Sequence, residues 1–150
     1  MKKSIYLISL VCLVVLSCSQ PPITREVIIA PDAPKAIGPY SQAIRVGNTL
    51  YLAGQLGMVP ETGAFAEGGI EAQSRQALEN LKAVLTTAGF TFEDVVQCQV
   101  FVTDMNNYPV FNGIYAEYFE KDFPARGVVE VSRLPKDGLV EIMMVAVKTD

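Results

Sequence analysis

The sequence has no histidine and no tryptophan. Without histidine the usual general base of Ser-His-Asp and Cys-His catalysis is gone, as is the commonest metal ligand. Positive charge is also scarce. Twelve Lys and Arg stand against sixteen Asp and Glu, a net charge of −4, and no basic run is present. Such a chain is poorly suited to binding a phosphate backbone. Cysteine occurs three times. Chemistry is left to carboxylates, arginine, tyrosine, backbone groups and water. The 150 residues are half hydrophobic, enough for one packed domain and a short extension.

The extension is expected at the N-terminus. "MKK" is a basic n-region and "SIYLISLVCLVVLS" an apolar run ending in a small residue, the pattern of a secretory signal. The run is short for a membrane span. Its end, "VVLSC", resembles a bacterial lipobox, which implies that Cys18 is lipidated and becomes the new N-terminus; the other readings are an ordinary signal peptide or an uncleaved anchor. The expected organisation is a lipoprotein signal over 1–17, a lipidated tether over 18–25 and one domain over 26–150. The expected location is the bacterial cell envelope, with the membrane as partner through the lipid. Loss of Lys2 and Lys3 takes the net charge from −4 to about −6. Cys12 leaves with the signal. Cys98, in "VVQCQVFV", remains alone and reads as a small hydrophobe in a strand.

Along the domain, 26–30, 40–47 and 49–57 read as strands, the last two flanking a Gly47-Asn48 turn. Ile70, Ser74, Ala77, Leu78, Leu81, Leu85 and Ala88 recur at helical spacing, and Gly89 stops that helix. Residues 94–104 form a strand. A second helix over 106–120 carries an apolar stripe of Tyr108, Phe111, Tyr115, Tyr118 and Phe119 that reads as core. "FPARGVVEVSRLPKDGLVEIMMVAV" (123–147) reads as two strands joined by a turn. The order is β-β-β-α-β-α-β-β. Two helices cover one sheet face only. The last strand is apolar on both sides, so its second cover is expected to be another subunit.

Each of the last two strands carries one unexpected charge. Arg126 stands between Ala125 and Gly127. Glu141 is the only ionisable residue in "LVEIMMVAV". An unpaired buried carboxylate is costly, and a guanidinium is its natural partner. Taken by themselves the residues read as a structural ion pair or as separately solvated ends. The functional alternative is an arginine held ready for a substrate carboxylate, with a glutamate handling water or protons nearby.

"AIGPYSQAI" (36–44), "AGQLG" (53–57), "VFVTDMNNYPVFNGIYAEYF" (100–119) and "FPARGVVEVSRLPKDGLVEI" (123–142) resemble the signature blocks of the RidA group of the Rid, or YjgF-like, family of reactive-intermediate imine deaminases. The resemblance implies an α+β, chorismate-mutase-like fold: a single sheet of about six strands, two helices on one face, and a homotrimer whose inner β-barrel buries the other. It implies active sites between subunits that hydrolyse 2-imino acids and their enamine tautomers to 2-keto acids and ammonia, with no metal and no organic cofactor. Carried over by position, Arg126 is the carboxylate clamp and Glu141 the group that orients or protonates at the imine and its water. Tyr40, Ala53, Gly54, Asn112 and Val128 fall among the substrate-binding positions, and Gly38 and Pro39 shape the cleft wall. Ala53 stands where many relatives have serine, and Val128 where many have cysteine. A role carried by the backbone survives both changes. The alternative is a non-catalytic trimeric lipoprotein that binds small carboxylates or serves as a scaffold. Ribonuclease activity, a third reading, fits badly with the acidic charge and the missing histidine.

Overall fold

The computed structural model describes residues 24–119 and 121–149. The expected signal and Cys18 lie outside them, as does most of the tether. The strands are β1 (Arg25–Ile28), β2 (Ala43–Val46), β3 (Thr49–Leu56), β4 (Val95–Val102), β5 (Ala125–Glu130) and β6 (Val140–Val147); the helices are α1 (Gly69–Thr87) and α2 (Tyr108–Ala116). The element order is the one expected from the sequence. The ends differ where side chains intervene. β2 begins at Ala43 rather than at Tyr40 because Gln42 is buried and turned inward. Its amide accepts from Ala30 N–H and donates to the carbonyls of Ala30 and Pro34. That satisfies a loop backbone instead of a ladder. α2 is shorter than the expected 106–120, preceded by a 3-10 turn over Met105–Asn107, with Pro109 in its first turn.

α1 forms because its apolar positions recur on one stripe: Ala77, Leu78, Leu81, Val84 and Leu85 are at most 1% exposed. It ends in a Schellman motif. Gly89 takes φ 78°, its N–H donates to Thr86 O, and Phe90 N–H donates to Leu85 O. α2 packs beside it. Arg75 of α1 grips Glu117 just beyond α2 with two hydrogen bonds, and Tyr118 donates to Glu79.

The six strands form one mixed sheet in the order β1-β2-β3-β6-β4-β5. β5 runs parallel to β4 and every other pair is antiparallel. The two strands of 123–147 are therefore not neighbours: β4 lies between them. Both helices lie on one face. A row across that face reads Ile28, Ala43, Leu52, Met144, Cys98, Arg126, so Arg126 ends a buried row on an edge strand. The row one step over on the opposite face reads Val27, Ile44, Tyr51, Val145, Gln97, Ala125. No described residue covers this face: Val27, Tyr51, Val129 and Met143 on it are 45%, 52%, 49% and 36% exposed.

Candidate functional site

The pairing of β3 with β6 slips by one residue between Leu52 and Gln55, so Ala53 and Gly54 together oppose Met143. A bulge of this kind re-aims the chain at a sheet edge or site. Here it opens a hollow of about 320 Å³ on the uncovered face, lined by Tyr40, Ala53, Gly54, Glu141, Met143 and Pro135 among others. Two α1 side chains fix its walls. Asn80 donates to the carbonyls of Leu56 and Met58, and Gln73 accepts from Leu139 N–H at the start of β6. Pro135 is carried by the 134–138 loop, in which Lys136 and Asp137 hold left-handed φ of 56° and 64°. Arg133 braces Asp137 there with two hydrogen bonds.

Gly54 is required by a close approach. A Cβ built on it would overlap Glu141 Oε1 and lie 2.8 Å from Glu141 Cδ. The glutamate therefore rests its carboxylate against bare backbone. It is half-buried among apolar walls, and burial raises its pKa above the ordinary 4.5. A raised carboxyl pKa means that the folded state holds the proton more tightly than the unfolded chain. Its stabilising contribution is complete below the ordinary value and is lost as pH climbs through the raised one. Glu141→Gln, which cannot ionise, should therefore gain in urea midpoint over the unaltered protein as pH is taken from about 4 to about 8. Midpoints that move in parallel over that range would contradict it.

Arg126 lies elsewhere. Within the chain it is two strands and three residues from Glu141, roughly 14 Å by strand geometry, and on the other face of the sheet. Of the two readings that composition left open, a structural ion pair or separately solvated ends, the ion pair does not form: among the described residues no salt bridge involves either group. Arg126 instead projects toward α2. One terminal nitrogen, Nη2, donates to Tyr108 Oη at 3.1 Å and to Asn112 Oδ1 at 2.7 Å. The guanidinium carbon stands 4.4 Å from the centre of the Tyr115 ring. Asn112, Tyr115, Ala116, Phe123, Pro124 and Arg126 line a second hollow.

The residues singled out in the sequence thus fall into two half-sites. Tyr40, Ala53, Gly54 and Glu141 share the hollow on the open face, where Tyr40 Oη also accepts from Ile37 N–H. Arg126 and Asn112 share the hollow at α2. Val128 packs its side chain against the main core and belongs to neither lining. Sequence reasoning missed Tyr108 and Tyr115 as neighbours of the arginine and took them only as core. Their spacing with Asn112, at i, i+4 and i+7, puts all three on one helix face and was the available signal.

A family model described as Endoribonuclease L-PSP matches residues 30–148. A RutC family protein of Pyrococcus horikoshii is 52% identical over 124 residues, 83% of this chain and 98% of that protein. A protein of Bos taurus named 2-iminobutanoate/2-iminopropanoate deaminase is 44% identical over 126 residues, 84% of this chain and 92% of that one. Among solved structures, E. coli TdcF with bound serine superposes with a TM-score of 0.80 at 36% identity, covering 83% of this chain and 99% of that one.

Proposed function

The chain belongs to the endoribonuclease L-PSP family, to which the YjgF-like proteins that its signature blocks resemble also belong, and from that premise we propose that it hydrolyses 2-imino acids to 2-keto acids and ammonia in clefts between copies of itself. The observation that carries this reading is the state of Arg126. Both hydrogens of Nη2 are occupied by Tyr108 and Asn112. The guanidinium's other three N–H donors, on Nε and Nη1, form no hydrogen bond among the described residues, and no described carboxylate neutralises it. An arginine held so keeps three charged donors for a planar carboxylate, and because each two-point face of a guanidinium uses Nη2, a bidentate grip shares an Nη2 hydrogen with Tyr108 or Asn112.

A homotrimer completes the site. The apolar face with Tyr51, Val145 and Met143 needs a cover, and a neighbouring copy supplies one while bringing its own half-site to the other's edge. Arg126 of one subunit then holds the substrate carboxylate beside Glu141 of the next. Water oxygen bonds to C2, Glu141 takes one water proton and delivers it to the nitrogen. The C–N bond of the resulting carbinolamine breaks, its hydroxyl proton leaves with nitrogen as ammonia, and the 2-keto acid remains. Burial keeps Glu141 able to hold that proton. The chemistry is undemanding because an imine is already electrophilic, so placement does most of the work. Ala53 and Val128 leave this scheme intact, since neither side chain enters it.

Ammonia release from freshly generated 2-iminopropanoate, above the buffer rate, is the direct assay. Binding of pyruvate without turnover would favour a carboxylate-binding lipoprotein instead. Ribonuclease activity draws little support from a chain of net charge −4 without histidine.

The address is part of the proposal: the basic "MKK" and the "VVLSC" run support lipidation at Cys18 and an envelope location. Expressed at full length, the protein should enter the detergent phase, and Cys18→Ser should abolish that partition or block processing. A full-length product that stays in the aqueous phase and carries no acyl chain would overturn the anchor while leaving the deaminase reading untouched.

A further inference from the structure

On the reading that Arg126 is the carboxylate clamp, we infer that Tyr108 and Tyr115 are its positioning residues. The Tyr108 hydroxyl sets the in-plane rotation of the guanidinium and the Tyr115 ring sets its plane, so the pair determines affinity for the substrate carboxylate without touching the reacting carbon. Arginine on an edge strand is a long side chain with several free torsions. Ordering it at the moment of binding opposes association, and a clamp already ordered avoids that cost.

The geometry divides the task between the two tyrosines. Tyr108 Oη and Asn112 Oδ1 both accept from Nη2, at 3.1 and 2.7 Å, and occupy both of its hydrogens. That leaves the donors of Nε and Nη1 without a partner among the described residues, on opposite sides of the guanidinium. A carboxylate that takes one of them makes its second hydrogen bond to an Nη2 hydrogen whose direction Tyr108 and Asn112 have already set. The ring of Tyr115 lies under the guanidinium at 4.4 Å, with those of Phe111 and Tyr108 at 5.7 and 5.8 Å. An arginine over aromatic faces is held by attraction to the ring quadrupole. The Tyr115 ring is itself fixed. It is 3% exposed and packs on Phe119 with ring centres 4.6 Å apart. Its hydroxyl donates to Cys98 Sγ at 3.2 Å. Cys98, directly beside Arg126 in the β4–β5 register, thus acts as the acceptor that anchors the platform.

Tyr108→Phe keeps the ring and removes only the hydroxyl. It should raise KM for 2-iminopropanoate and the dissociation constant of pyruvate about tenfold, equivalent to about 1.4 kcal/mol, with kcat within about twofold. Tyr115→Leu should weaken pyruvate more, whereas Tyr115→Phe, which keeps the packed ring and loses only its Cys98 anchor, should weaken it less than Tyr108→Phe does. The Arg126 Nε–H resonance, followed by ¹⁵N NMR during a pyruvate titration, separates the two levels of the argument. A shift in the unaltered protein, with weakened binding in Tyr108→Phe, supports both. The same shift with Tyr108→Phe binding pyruvate as tightly as the unaltered protein overturns the positioning role and leaves the clamp standing. No shift in the unaltered protein overturns the clamp and this inference together.

Discussion

Arg126→Ala is expected to abolish 2-imino acid hydrolysis and leave a folded, assembled protein. The loss is large because two charge-assisted hydrogen bonds to the substrate carboxylate go at once. At about 1.5–3 kcal/mol each, they amount to a factor of about 10² to 10⁴ in kcat/KM. The fold is spared because the guanidinium neutralises no described carboxylate, so its removal strands no buried charge. What the fold loses is the contact with the Tyr115 ring, some side-chain packing on an edge strand and the Nη2 hydrogen bonds to Tyr108 and Asn112, whose freed acceptors water can reach, about 1–2 kcal/mol in all. Had Arg126 been half of a buried pair with Glu141, the same change would cost about 3–5 kcal/mol of stability. Thermal unfolding and the ammonia assay on one sample separate the two cases. Arg126→Lys keeps the charge but not the fork, and should recover binding only in part.

The second large effect is expected at a glycine. In Gly54→Ala the added methyl would occupy the place of Glu141 Oε1. The glutamate can swing away, so the sheet survives, but its carboxylate leaves the position from which it meets water. A displacement of about 1 Å at a catalytic group can cost about a hundredfold in rate, and turnover should fall by about that factor while carboxylate binding through Arg126 persists. Gly57 supplies the contrast. A Cβ there would overlap the Gln73 backbone of α1, which cannot swing aside. Gly57→Ala should act on stability, by about 1–3 kcal/mol. If Gly54→Ala binds pyruvate normally and turns over at the unaltered rate, the place assigned to Glu141 is wrong.

The contrast also marks where the sequence stops being informative. Element order followed from short-range signals: the apolar stripe from Leu78 to Leu85, the stop at Gly89, and the alternation in β6. The open face followed from counting, because two helices cannot cover both sides of a strand whose residues are apolar on both. The position of β6 between β3 and β4 did not follow, since strand order depends on long-range pairing that no local pattern encodes. That pairing separates Arg126 from Glu141. Residues 123–147 suggested two charges close enough to meet. The register instead puts them on opposite faces, with Phe101 beside Glu141 and Cys98 beside Arg126. The candidate residues themselves were legible through family motifs. The aromatic platform was not, because Tyr108 and Tyr115 fit a core stripe just as well, and only the projection of Arg126 onto α2 tells the two uses apart. The bulge at Ala53–Gly54 was equally hidden, being a slip in pairing and not a feature of either strand alone.

The central claim is that Arg126 of one subunit and Glu141 of another make one site, and subunit mixing tests it directly. Arg126→Ala and Glu141→Gln chains, each inactive alone, would be differently tagged, unfolded and refolded together in equal amounts, and assayed for ammonia release from 2-iminopropanoate. Random assembly leaves about one cleft in four with an intact arginine from one chain facing an intact glutamate from the other. The mixture should therefore recover about a quarter of the unaltered activity. Activity no greater than that of the two parents, in a sample shown by its tags to contain mixed assemblies, would contradict a site shared between subunits.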